Sequence, residues 1–320
     1  MCDYQSGLVY QYQNVTNTAT QIDIAVILFS FCIILMNYFI LYLIFQIFLS
    51  SHLISILIMI QITFDTLVCI SQIGNKFCPF FLITSEMWIN ILGCHIWTSE
   101  FLNSLFNTFC KQSMLTMLIE RCILIYLPNI NLLNYPKLLC GLYCFSVAYN
   151  IASNLYLILL VKLDQTGQCL VISKMSISSS DRSELIIFNN ASLILGDIIP
   201  LSMMIIMLIL IISHEYKIKF VSTDASQIKP VENHFILLLV LWSIPEILIS
   251  ILDICQHICE DHVEYESICD ITHHCLELLR SIIFILHSIS LFILLKPMRT
   301  EALVILKNVS KFLKKMFQKN

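Results

Sequence analysis

The triplet Glu120-Arg121-Cys122 closes a long apolar segment and is followed, after five more apolar residues, by Pro128. Charges at the end of a membrane helix are costly to keep out of water, so they are rarely retained without a task. Adjacent opposite charges there have the chemistry of a latch, held while paired and released when the guanidinium finds another partner. Further up the same segment, Glu100, Asn103, Ser104, Asn107 and Lys111 fall at i, i+3, i+4, i+7 and i+11. That spacing makes one polar stripe on an otherwise apolar helix. In lipid the stripe must face a bundle interior or a wet cavity, which predicts a ligand-pocket wall. The alternative is a helix–helix hydrogen-bond seam, with Lys111 pairing with a bundle carboxylate such as Asp197.

Other polar groups interrupt the apolar runs. Glu246 and Asp253 stand about two helical turns apart. Glu277 and Arg280 are one turn apart, and either line the same cavity or neutralise each other as an i, i+3 pair. Asn37 and Asp65 are polar residues in apolar surroundings and suit a hydrogen bond between helices. No Gly-rich phosphate loop, His-Glu-x-x-His helix or Gly-x-Ser-x-Gly elbow occurs, so neither an enzyme nor a cofactor is predicted. His257, His262, His273 and His274 stand among cysteines at spacings that match no standard zinc set, so no metal site is predicted. Nucleic acid is not an expected partner.

The elements that position these groups follow from composition. Of 320 residues, 58% are hydrophobic and only 12% charged, against about 45–50% and about 25% in soluble domains. A span needs roughly 20 apolar residues to cross about 30 Å of hydrocarbon. Seven stretches meet that need: Ile24–Leu49, Leu53–Ile73, Thr98–Ile125, Leu138–Val161, Leu185–Ile212, Phe235–Ile254 and Ile271–Leu295. Backbone polar groups in lipid must be satisfied within the segment, so the runs are helices. The expected architecture is an all-α, seven-transmembrane helix bundle with a C-terminal amphipathic eighth helix. Residues 1–23 form an extracellular N-terminus, 24–295 the seven-transmembrane domain, and 296–320 a cytoplasmic amphipathic tail. Asp3 and Asp23 replace a basic n-region, so the first run is expected to stay as a membrane helix.

Lys and Arg set the topology. With the N-terminus outside, twelve of the 18 basic residues fall inside, from Arg121 and Lys137 to Lys314, Lys315 and Lys319. The stretch from Cys255 to Glu277 is then an outer loop rich in carboxylates without Lys or Arg. A negative mouth concentrates cations and suits a basic peptide. The Asn14-Val15-Thr16 sequon lies outside, where glycosylation is open to it. After Leu295, apolar residues from Ala302 to Phe317 recur on a helical period with Lys307, Lys311, Lys314 and Lys315 between them. This is a basic amphipathic helix suited to an inner leaflet. Among the 14 cysteines, those on the outer side sit where disulfides are permitted.

Seven helices with Glu120-Arg121-Cys122 closing the third resemble a rhodopsin-like (class A) G-protein-coupled receptor, the triplet standing where the family carries Asp-Arg-Tyr. Asn37 matches the family's first-helix Asn, Asp65 its sodium-site Asp, Trp88 with Gly93-Cys94 its first outer loop, and Pro200 its fifth-helix Pro. The sixth helix reads Leu241-Trp242-Ser243-Ile244-Pro245, with Trp and Pro one residue further apart than is usual in the family. The seventh, His287-Ser288-Ile289-Ser290-Leu291-Phe292, is similar to the Asn-Ser-x-x-Asn-Phe pattern of invertebrate FMRFamide- and myosuppressin-type peptide receptors and related nematode chemoreceptors, with both Asn positions replaced.

The resemblance implies a plasma-membrane, multi-pass receptor with its N-terminus extracellular and its C-terminus cytoplasmic. It implies a Cys94–Cys169 disulfide tying an outer loop over the bundle. Glu120, Arg121 and Cys122 become the G-protein switch, and Asn37 and Asp65 the sodium or core polar pair. Glu100, Asn103, Ser104, Asn107, Glu246, Asp253, Glu277 and Arg280 become the ligand pocket. Asn103 stands where amine receptors carry Asp, so a neuropeptide is the expected ligand and a heterotrimeric G protein the expected partner. A chemoreceptor for a small environmental molecule is the alternative, and a membrane transporter or channel a more distant one.

Overall fold

A computed structural model describes residues 17–47, 52–76, 87–98, 101–127, 136–159, 161–163, 169–171, 187, 190–221, 230–260 and 266–317. Helix α1 (Asn17–Gln46) is followed by α2 (His52–Lys76) and a short α3 (Met87–Leu92) that runs into a π-helical turn, Gly93–Thr98. Helices α4 (Phe101–Tyr126) and α5 (Pro136–Leu159) come next. Strands β1 (Val161–Leu163) and β2 (Cys169–Val171) then pair antiparallel, Lys162 opposite Leu170. A second π turn, Ile194–Ile198, leads into α6 (Ile199–Val221), before α7 (Pro230–Glu260), α8 (Glu266–Leu294) and α9 (Lys296–Phe317).

Among the described residues, five segments are long and apolar enough to cross a membrane: Gln21–Gln46, Leu53–Lys76, Asn190–Tyr216, Phe235–Gln256 and His274–Leu294. The surface supports the same conclusion. Phe45 is 75% exposed, Phe145 66% and Leu28 62%, while Asp65, Gln72 and His287 are fully buried. A soluble protein has the opposite order, with charge outside and apolar side chains within. The chain is a helical, membrane-embedded protein.

Helix α4 lies at the centre of the packing. It touches α2, α5, α6 and α7, while α1 packs on α2 and on α8, and α8 on α7. The core around it joins Met114, Met117 and Leu118 of α4 to Leu57 and Ile62 of α2, Met204 of α6, and Leu238 and Trp242 of α7. Helix α9 returns Met298 and Ala302 to this core and leaves Lys307 and Lys311 exposed, as an amphipathic helix on a bundle end requires. Helix α7 continues through Pro245, whose missing N–H leaves the Leu241 carbonyl without its helical partner.

Several expected boundaries shift. Helix α1 begins at Asn17, so Asp23, expected to end an extracellular tail, is a buried helical residue. The third segment, expected to start at Thr98, is an α3–π-turn–α4 sequence with its long helix starting at Phe101. The stretch from Cys255 to Glu277 is mostly helix rather than loop, since α7 reaches Glu260 and α8 starts at Glu266. The polar connection before Phe235 shortens likewise, because α6 reaches Val221 and α7 starts at Pro230. Hydropathy marks the part of a helix that lies in hydrocarbon, and helices extend beyond it.

Candidate functional site

The buried polar groups form layers along the bundle. At one end, Arg121 of α4 lies 3.4 Å from Glu120, and its guanidinium stacks over the Phe235 ring of α7 with 4.2 Å to the centroid. Both charged side chains are at least nine-tenths buried. Cys122 completes the triplet with its thiol 3.6 Å from the Met207 carbonyl of α6, and Tyr126 donates to the Leu210 carbonyl at 3.1 Å. One helical end thus grips two neighbours. A cation over an aromatic face contributes about 0.5–2 kcal/mol, more as water is excluded.

The next layer centres on Asp65 of α2. It accepts from Gln61 at 2.9 Å and from the Cys110 thiol at 3.4 Å, and lies 3.0 Å from Nδ1 of His287 on α8. The His287 ring packs against Trp242 with centroids 4.7 Å apart, and Trp242 donates to Ser290 at 2.6 Å. Asn37 belongs to a neighbouring set: it donates to Thr66 at 3.0 Å and accepts from Ser288 at 2.6 Å. The anticipated Asn37–Asp65 hydrogen bond is therefore not formed. Each residue has a nearer partner one helix over, and the sequence-read sodium or core polar pair separates into two networks.

A chain of alternating charges fills the third layer. Lys111 of α4 lies 2.5 Å from Asp197 and 3.4 Å from Asp253 of α7, and Asp253 also pairs with Arg280 of α8. Asp197 sits in the π turn Ile194–Ile198, whose wider coil breaks the α repeat and is a recurrent feature of functional sites. Lys111 thus finds the carboxylate that its place in the stripe anticipates. Glu277 and Arg280, by contrast, do not pair as i, i+3 neighbours. Arg280 turns to Asp253, and Glu277 to Lys76 of α2 at 2.6 Å.

Lys76 anchors the last layer. Its ammonium lies 2.8 Å from Asp23 of α1 as well as 2.6 Å from Glu277, and His274 approaches Asp23 at 3.2 Å. Ligand atoms of Asp23, His274 and Glu277 lie within 4.8 Å of one another, a grouping a metal could use; Lys76 already supplies positive charge there. Three helices are tied by this cluster. Replacing Lys76 with Met leaves Asp23 and Glu277 with the His274 imidazole 3.2 and 3.9 Å away, and is expected to cost less than the about 3–5 kcal/mol of breaking a buried pair outright. A melting curve of the purified variant checks it, with Lys76→Met/Glu277→Gln recovering most of the loss.

The outer part of the α4 stripe behaves as a seam. Ser71 donates to Asn103 at 3.1 Å, Ser104 donates to Asn154 at 2.5 Å, and Asn154 donates to Thr108 at 3.1 Å. Asn103 is buried and Asn107 half-buried. The anticipated pocket wall is thus, at Asn103 and Ser104, a set of interhelical hydrogen bonds. Glu246, by contrast, is buried on α7 without such a bond. Glu100 and Asn14 lie outside the described residues, as do the side chains of Cys94 and Cys169. The backbone of the Cys94 turn packs on β1, the strand partner of the Cys169 segment.

Sequence reasoning missed Asp23, Lys76 and His287 as partners. Lys76 did carry a signal: it is the first Lys or Arg in the chain and ends an apolar helix. No protein-family model matches the chain, and no curated protein matches it.

Proposed function

We propose that the chain is a G-protein-coupled receptor of the rhodopsin-like kind, with seven transmembrane helices, its N-terminus outside the plasma membrane and its C-terminus in the cytoplasm. Helices α4 and α5 join the five apolar spans to make the seven. An extracellular ligand, a neuropeptide first and a small environmental molecule second, enters from the Lys76 end. A heterotrimeric G protein meets the Arg121 end.

The observation that carries this reading is the position of Arg121, held between Glu120 on its own helix and Phe235 on α7. Displacing the start of α7 removes the ring from the guanidinium and weakens the hold on its charge. A ligand that binds the displaced arrangement better shifts the population towards it. The layers above give the ligand purchase, because Lys111 and Arg280 join α4 to α8 through Asp253 of α7.

A library of basic and amidated peptides tests the reading in cells expressing the full chain with a promiscuous G protein. The expected result is ligand-dependent nucleotide exchange by at least one peptide. Silence across peptides and small molecules, with surface expression verified, together with ion flux in liposomes, would overturn it in favour of a transporter or channel. The series of buried charges through the bundle is what such a protein would use.

A further inference from the structure

Helix α7 carries a buried polar face whose groups have no partners. Ser243 and Ser250 are fully buried, and neither hydroxyl has a hydrogen bond among the described residues. Glu246 lies between them in sequence, 5% exposed, with no hydrogen bond or ion pair within the described residues. Across on α8, His287 uses Nδ1 on Asp65 and leaves Nε2 without a partner. A buried carboxylate with neither cation nor donor is strongly disfavoured, and holds a proton until a cation joins it.

Neighbouring charges do not supply that cation. Among the described residues, the groups that act most strongly on Glu246 are His287, Asp65, Lys111 and Arg280. Lys111 is engaged by Asp197 and Asp253, Arg280 by Asp253, and His287 by Asp65. Four carboxylates, Asp65, Asp197, Asp253 and Glu246, thus face two permanent cations. An imidazolium at His287 would answer only one of the two uncompensated charges. Among the described residues the middle of the bundle is short of positive charge, and the deficit falls on Glu246.

We propose that Glu246 is the counter-ion for an organic cation, a primary ammonium or a guanidinium, bound along the α7 face between Trp242 and Asp253. Ser243 and Ser250 are separated by about 10 Å along the helix, too far to converge on one ion. A cation at Glu246 deepens the receptor reading by naming the ligand's essential group, and rests on it for the direction of entry. The cation site itself is tested independently.

The full chain, purified into nanodiscs, is melted with phenethylammonium, arginine amide, 2-phenylethanol or sodium chloride at matched concentrations. The two organic cations are expected to raise the melting temperature in a saturable way, and the neutral alcohol to leave it unchanged. Glu246→Gln is expected to weaken the apparent affinity at least about tenfold relative to its own cation-free baseline, with Glu246→Asp retaining part of it. The proposal is overturned if neither cation shifts a cooperatively melting wild-type protein. Full retention of the shift in Glu246→Gln overturns it too, as does an equal shift from sodium chloride, which marks an inorganic ion site. A Glu246-dependent shift in a protein that never stimulates nucleotide exchange supports the cation site and defeats the receptor reading. Exchange driven by a cationic ligand with unchanged potency in Glu246→Gln defeats the cation site alone.

Discussion

Replacing Asp253 with Asn is expected to prevent most of the protein from reaching the cell surface. Asp253 is the only carboxylate that touches both Lys111 and Arg280 among the described residues. Its neutralisation leaves Arg280 without an ion-pair partner and Lys111 with Asp197 alone. Breaking a buried pair from one side costs about 3–5 kcal/mol, and the lower end applies here because Glu246 and Glu277 also act electrostatically on Arg280. That is a large fraction of the stability of a typical domain. The companion variant Asp253→Asn/Arg280→Met removes both charges and leaves the Lys111–Asp197 pair standing. It is expected to recover most of the surface expression, giving a coupling of at least about 2 kcal/mol in a double-mutant cycle of melting curves. Asp197→Asn should cost less than Asp253→Asn, since its side chain is 28% exposed against 15% for Asp253.

Removing the Phe235 ring should loosen Arg121 rather than strand a charge, at a packing cost of about 3–5 kcal/mol in Phe235→Ala. In Phe235→Ala, Arg121 keeps Glu120 and loses the aromatic face 4.2 Å from it. If that contact contributes about 1.4 kcal/mol, the balance between held and released arrangements moves about tenfold, and ligand-independent signalling in cells rises accordingly. Phe235 is also 4% exposed and part of the core, so Phe235→Leu serves as the packing control. It fills much of the volume, offers no ring to the cation, and should signal like Phe235→Ala with better expression. Arg121→Ala removes the charge that the partner would recognise, and is expected to silence the response whatever occupies position 235.

The fold was legible where physics acts locally. Continuous apolar runs such as the one containing Asn37 must be helices in lipid, whatever surrounds them. The period of the polar stripe from Asn103 to Lys111 placed those residues on one face, and the Lys111 carboxylate was among the anticipated partners. What a single helix could not disclose was which neighbour each polar group would meet. Lys76 and Glu277 are 201 residues apart and Asp65 and His287 are 222 apart; no periodicity joins them. Glu277 and Arg280 illustrate the limit. Their spacing favours a local pair by a few tenths of a kcal/mol, but buried partners on α2 and α7 offer stronger charge compensation. Likewise Asn103 and Ser104 are polar in the same way whether they face a ligand or a neighbouring helix, so composition leaves both outcomes open.

Nucleotide exchange on a heterotrimeric G protein, driven by the purified full chain in nanodiscs, tests the central claim most directly. Wild-type, Phe235→Leu and Arg121→Ala proteins are compared at equal folded concentration, so expression does not enter. The account predicts that Phe235→Leu accelerates exchange without ligand and that Arg121→Ala falls to the rate of empty nanodiscs. Equal exchange by wild-type and Arg121→Ala proteins, above that of empty nanodiscs, would contradict it, because the guanidinium at the end of α4 would then have no part in reaching the G protein.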